Sequence, residues 1–264
     1  MHARRALLYM PGDDLRKIQK AASLPVDCVV MDLEDAVSAQ CKAEAREVTA
    51  NALRTVDFGI SERLVRINPF YSGLAEDDLH AILPAKPDGI LLSKTTRPSD
   101  LVRLNDMISQ VEETNGWAEN SILTFAIIEN ALGVINLAQI CQMGGSRLNG
   151  LVCGGEDLAA DMNAIRTRAA TELFYARSAV VLHAAAFRIQ ALDMVCTDFT
   201  DMVYVEDEAR EGMQMGFSGK QVIHPNQVEP VQRAFTPDED EIAYAMQIIQ
   251  KYEHNQQNGL AAFA

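Results

Sequence analysis

Short apolar runs alternate with amphipathic stretches along the chain. The first run, Ala6 to Met10, is closed by Pro11-Gly12, and Asp13 and Asp14 then stand where an N-cap belongs, ahead of a helix through Ala22. Cys28 to Leu33 predicts a second strand ending in Glu34-Asp35, Lys42 to Thr55 a helix, and Arg63 to Asn68 a third strand stopped by Pro69. A helix over Asp77 to Leu83, a strand Gly89 to Ser93 with Lys94 at its end, and a helix Ser99 to Glu113 follow. The fifth run, Leu123 to Ile128, delivers Glu129. After a helix Ala131 to Met143 that closes at Gly144-Gly145, Leu148 to Cys153 predicts a sixth strand running through Gly154-Gly155-Glu156 to Asp157. A long helix from Thr167 to Arg188, a strand Ala191 to Thr197 with Asp198 at its end, a helix Val205 to Met215 and a strand Lys220 to Ile223 ending at His224 continue the pattern. Two helices follow, Gln227 to Ala234 and Glu239 to Tyr252, the second opened by Thr236-Pro237-Asp238-Glu239, a capping-box pattern with Pro at N1.

Eight strands, each followed by a helix, is the count of an α/β fold of the (β/α)8 TIM-barrel type. The expected division is a barrel over residues 1-235 and a C-terminal helical extension over 236-264. An open doubly wound sheet would carry a Gly-rich dinucleotide turn after the first strand, and Pro11-Gly12-Asp13-Asp14 is not that fingerprint. In a barrel the C-terminal strand ends build the site. Here they offer Tyr9, Glu34, Asp35, Arg66, Lys94, Glu129, Asp157, Asp198 and His224. A buried strand has no interior place for an unpaired acid, so Glu129 and Asp157 point into a crevice, where two carboxylates can share one Mg²⁺. The same acids also suit helix N-termini for dipole reasons, and Lys94 and Asp198 are ordinary residues for a solvated loop.

Composition narrows the partners. At 264 residues and 48% hydrophobic, the chain can bury one large core. Its net charge of -14 argues against nucleic acid or an anionic membrane as partner, and the absence of a long apolar span argues against a membrane helix. Five scattered cysteines without metal spacing fit reduced thiols in the cytoplasm. Any anionic ligand then needs local cations. The first twenty residues carry five Arg or Lys against two Asp, and Arg16 and Lys20, four apart on one helix, can grip phosphates together.

Arg5 to Gly12 (RALLYMPG), Met31 to Val37 (MDLEDAV), Val65 to Asn68, Ile127 to Asn130, Gly154 to Asp157 and Gly219 to Gln227 (GKQVIHPNQ) resemble the citrate lyase β-subunit-like proteins. These belong to the HpcH/HpaI-type aldolases, with malyl-CoA and citramalyl-CoA lyases among them. The resemblance spans nearly the whole chain. It implies a (β/α)8 barrel, commonly a homotrimer, that binds Mg²⁺ and cleaves a 3-hydroxyacyl-CoA thioester. By motif position Glu129 and Asp157 would hold the metal and Arg66 the substrate. Tyr9, Arg16, Lys20, Ile223 and His224 would line the acyl-CoA site, and Glu34 and Asp35 would position Arg66 and metal-bound water. Within the family, (S)-citramalyl-CoA, yielding acetyl-CoA and pyruvate, is the first substrate expected. A citrate lyase β-subunit acting on citryl-ACP, a non-catalytic CoA-ester-binding barrel and an aldolase for free 2-oxo acids are the alternatives. Many relatives continue past the last helix into a lid with a G-x-M-I-D-like segment, whose Asp serves as acid-base group over the adjacent subunit. This sequence stops at Gly259-Leu260-Ala261-Ala262-Phe263-Ala264, just before that segment, so two expectations stand side by side: a truncated sequence, or a protein without the lid and its Asp.

Overall fold

The structure, a computed structural model, describes residues 2–257. Every strand pairs in parallel with the next and the eighth pairs with the first, closing an eight-stranded barrel. The chain runs β1 (Ala6–Pro11), α1 (Leu15–Ala22), β2 (Cys28–Asp32), α2 (Lys42–Thr55), β3 (Glu62–Ile67), α3 (Ala75–Ile82), β4 (Gly89–Leu92) and α4 (Pro98–Asn115). It continues through β5 (Leu123–Ile128), α5 (Ala131–Ile135), α6 (Leu137–Gly144), β6 (Leu148–Cys153), α7 (Gly155–Asp161) and α8 (Phe174–Phe187). The last elements are β7 (Gln190–Asp193), α9 (Met202–Met215), β8 (Gly219–Val222), α10 (Val228–Ala234) and α11 (Glu239–Gln257). Among the described residues, no helix is long and apolar enough to cross a membrane.

The apolar runs are continuous because each strand is covered on both faces. One set of side chains, including Leu7, Val30, Leu64, Leu91, Phe125, Ile127, Val152 and Leu192, packs together as the barrel filling. Their sequence neighbours, such as Leu8, Val29, Val65 and Ala126, join the larger core between sheet and helices. Phe125 fills the middle of the barrel because Gly89 and Gly150 leave room for its ring. A Cβ on either would come within 2.9 Å of it.

Several elements differ from the sequence pattern. The long helix expected from Thr167 begins only at Phe174, after a short 3-10 turn over Thr171–Leu173 that Ala170 enters in left-handed backbone with φ of +50°. Asp157 does not end the sixth strand. β6 stops at Cys153 and Asp157 lies in the first turn of α7. β7 ends at Asp193, so Asp198 is a loop residue whose carboxylate accepts hydrogen bonds from Thr200 and Asp201. The helix over Ala131 to Met143 divides at Asn136 into α5 and α6. The expected Thr236 cap is replaced by Asp238, which exchanges bonds with Glu241 at the start of α11. Residues 259–264, on which the expectation of a missing lid falls, lie outside the described residues.

Candidate active site

The barrel-filling side chains Leu7, Val30, Leu64 and Ile127 are each followed two residues later by Tyr9, Asp32, Arg66 and Glu129. Side chains two apart on a strand share a face, so these four polar residues crown the interior at its C-terminal mouth. Arg66 forks onto Asp32, with Nε donating to Oδ1 at 2.6 Å and Nη2 to Oδ2 at 2.5 Å. Its Nη1 lies 3.2 Å from Glu34 Oε2, and the guanidinium sits 5.4 Å from the centre of the Tyr9 ring. Burial works against the guanidinium charge, but the hydrogen bonds and charge of Asp32 outweigh it and Arg66 ends above its ordinary pKa. Asp32 also accepts from the backbone N–H groups of Glu34 and Ala36, which folds the chain after β2 so that Glu34 turns inward. Lys42 pins the same turn through the carbonyls of Leu33 and Glu34.

Glu129 follows β5 and is 5% exposed. Its Oε1 accepts the backbone N–H of Lys94, and it lies directly over Gly154, where an added Cβ would come within 2.8 Å of Oε2. That glycine is a cradle for the carboxylate. Burial, with Glu34 and Asp157 adding like charge, pushes the Glu129 carboxyl up to about 8 although Lys94 N–H and Arg66 oppose the shift. Asp157 is half-exposed, with Oδ2 3.7 Å from Lys94 Nζ. The same ammonium donates to Glu34 Oε1 and lies 3.4 Å from Asp35 Oδ1. Burial and the Asp35 charge raise Glu34 above the usual carboxylate range, whereas hydrogen bonding to Glu34 and the Lys94 charge outweigh burial and depress Asp35. Glu129 and Asp157 share the wall of one cavity of about 490 Å³ with Tyr71, Lys94, Thr96, Asn130, Leu132 and Asp161. A larger groove of about 830 Å³ lies beside α10 and the start of α11, but its charged groups are Arg, Asp and Glu side chains without a buried acid among them.

The donor set suits a hard cation. Among the described residues, no group of three or more His, Cys, Asp or Glu is gathered for a metal, so the chain offers the pair Glu129 and Asp157. Mg²⁺ usually takes one or two protein carboxylates and keeps its remaining positions for water and substrate oxygens. A buried acid held near pH 8 by desolvation is also a group that a cation would stabilise.

The remaining candidates are spread around the mouth. Among the described residues the Tyr9 hydroxyl has no hydrogen-bond partner, and burial holds the phenol well above its ordinary pKa, so it is a neutral donor. Arg16, 94% exposed, and Lys20 sit one turn apart on α1, which Asp14 caps through the N–H groups of Arg16 and Lys17. Of the five basic residues near the N-terminus, Arg4 and Arg5 are not free for a ligand. Arg4 is buried against Glu62 and Arg5 grips Asp27. Ile223 is exposed, and His224 stacks on Phe199 with ring centres 5.6 Å apart while accepting the Asn226 N–H. Asp35 faces Lys94, and Asp32 is the acid that clamps Arg66. Asp32 was missed because an acid inside the run Cys28 to Leu33 reads as part of a buried strand. Its signal was that burial itself, since a carboxylate in a strand needs a cation nearby.

A barrel with buried acids and a clamped arginine at its C-terminal mouth belongs to the class of (β/α)8 enzymes that build their chemistry on strand ends. The chain belongs to the HpcH/HpaI aldolase/citrate lyase family, whose sequence profile matches residues 5–225, and it is a carbon–carbon lyase. It is 38% identical over 269 residues to the mitochondrial citramalyl-CoA lyase of Homo sapiens, covering 98% of this chain and 79% of that protein. It is 36% identical to the citrate lyase subunit beta of Leuconostoc mesenteroides subsp. cremoris, over 97% of this chain and 84% of that one. Among solved structures it resembles the CitE protein of Mycobacterium tuberculosis in complex with magnesium, acetoacetate and coenzyme A. That likeness has a TM-score of 0.79 at 26% identity and covers 99% of this chain and 90% of the other.

Proposed function

We propose that this protein is a Mg²⁺-dependent lyase that cleaves a 3-hydroxyacyl-CoA thioester by retro-Claisen chemistry, with (S)-citramalyl-CoA giving acetyl-CoA and pyruvate. The observation that carries the reading is the meeting of Glu129 and Asp157 on one cavity wall, next to an arginine that Asp32 holds fixed. The human relative's name supports the substrate, and the CoA and magnesium of the Mycobacterium tuberculosis complex support ligand and metal. In this reading Glu129 and Asp157 hold the ion, which when bound supplies Lewis-acid polarisation of substrate oxygens. Arg66, permanently charged, binds and orients the carboxylate end of the substrate and stabilises charge that develops there. Glu34 and Asp32 keep its fork in place. The Tyr9 hydroxyl, neutral and without a partner among the described residues, keeps its proton and donates a hydrogen bond to a substrate oxygen. Arg16, Lys20, Ile223 and His224 form the outer site for the CoA moiety.

A homotrimer and a reducing compartment such as the cytoplasm complete the proposal, the latter supported by five free thiols. The human relative is named mitochondrial. A citrate lyase β-subunit role on citryl-ACP is the second reading, favoured by the Leuconostoc relative. A coupled assay for pyruvate or oxaloacetate release from a panel of CoA thioesters and from citryl-ACP, with and without Mg²⁺, tests both. Pyruvate from citramalyl-CoA only with Mg²⁺ is the expected result. Turnover of citryl-ACP but of no CoA ester would move the assignment to the second reading.

A further inference from the structure

We infer that Lys94 is a positioning residue that sets how the site divides its affinity between cation and anion. Its backbone fixes one acid of the cavity, and its side chain neutralises another. This inference rests on the metal reading proposed above, and it concerns a residue that stands at a strand end but to which the family resemblance assigned no role.

The residue after β4 is held in an uncommon way. Lys94 has φ of +46°, left-handed backbone that is disfavoured by a Cβ, and the chain on its C-terminal side enforces it. Thr95 donates its N–H to the Ile127 carbonyl at 3.0 Å and its hydroxyl to the Leu92 carbonyl at 2.9 Å. Strain of this kind persists only where neighbouring bonds over-determine it, and it concentrates at functional sites. Here it lets the Lys94 N–H reach Glu129 while the ammonium reaches back to Glu34, Asp35 and Asp157.

The charges show what the ammonium does. Asp32, Glu34, Asp35, Glu129 and Asp157 crowd this mouth, and among the described residues the cations in contact with them are Arg66, Lys94 and Lys42, which reaches Glu34 through its backbone carbonyl. Arg66 is committed to Asp32 by two hydrogen bonds. Lys94, on a flexible four-carbon stem and 27% exposed, is the charge beside the cavity acids. Any cation drawn to Asp157 must share that carboxylate with Nζ, so the ammonium opposes cation binding. By the same field it favours an anion arriving at the occupied site.

The test uses the full chain and Mn²⁺ as the oxygen-seeking probe, titrated by calorimetry into wild type, Lys94→Met and Lys94→Arg. Pyruvate is then titrated into each protein saturated with Mn²⁺. Lys94→Met is expected to bind Mn²⁺ roughly tenfold more tightly and pyruvate roughly tenfold more weakly, changes of opposite sign that loss of packing would not produce. Lys94→Arg is expected to restore both. Lys94→Gly adopts the left-handed backbone without strain and serves in place of the Met variant should that one fail to fold. Affinities that both stay at wild-type values, or both fall, would overturn the inference while leaving the metal reading intact. A wild-type protein that takes up no Mn²⁺ would sink both.

Discussion

The barrel interior carries a charged cluster at each mouth, and the two follow different rules. At the N-terminal mouth Arg4 is fully buried and fully used. It pairs with both oxygens of Glu62, donates to Asn149 and Gln190, and lies 4.9 Å from the centre of the Phe125 ring. One cation meets one anion, and neutral amides take what remains. Among the described residues at the C-terminal mouth, acids outnumber cations, one acid is lifted to about 8 by its own burial, and a phenol is left without a hydrogen-bond partner. A balanced cluster is a structural plug. An unbalanced one is a fold spending stability on a site whose complement comes from outside.

Substitutions at the two mouths should therefore fail in different ways. Glu129→Gln keeps shape and removes charge, so it should leave the fold intact and lower Mg²⁺-dependent turnover by roughly a thousandfold, read as kcat in the coupled pyruvate assay. Arg4→Met should do the reverse. Leaving Glu62 buried without its partner should cost about 3 to 5 kcal/mol in urea unfolding, with kcat of the folded protein unchanged. Arg66→Lys keeps the charge but loses the fork onto Asp32, and kcat/KM should fall by roughly a hundredfold.

A pH series reads the C-terminal mouth through its buried acid. In metal-free protein the Glu129 carboxyl keeps its proton up to about 8, against 4.5 as its ordinary value. The native state then binds more protons than the unfolded state between those values, so this group's contribution to stability falls as pH rises through that window. Chelator-treated wild type should lose several degrees of Tm from pH 6 to 9 more than Glu129→Gln does. The smallest effect belongs to the rim. Arg16→Ala with Lys20→Ala should raise KM for a CoA thioester by roughly tenfold with kcat unchanged, because exposed phosphate contacts are screened. An unchanged KM would remove α1 from the CoA site.

The contrast also explains what the sequence could disclose. All eight strands were legible because two-sided burial writes them as apolar runs, and α2 was legible end to end from its amphipathic spacing. Glu129 was legible as the acid that closes such a run. Asp32 and Arg4 were not, because their partners lie 34 and 58 residues away and no local pattern announces a long-range ion pair. Asp157 was placed on a strand end because Gly154-Gly155 reads as a loop, whereas Gly155 already begins a helix. The Thr167 to Arg188 stretch contains no Gly or Pro, so nothing local marked the left-handed Ala170 that delays α8.

The proposed function needs a divalent ion held between Glu129 and Asp157 at the C-terminal mouth. Calorimetric titration of Mg²⁺ into the chelator-stripped full chain and into Glu129→Gln addresses it most directly. One ion per wild-type chain is expected, with binding too weak to measure in the variant. Uptake that survives the substitution unchanged, or no uptake by wild type, would contradict it.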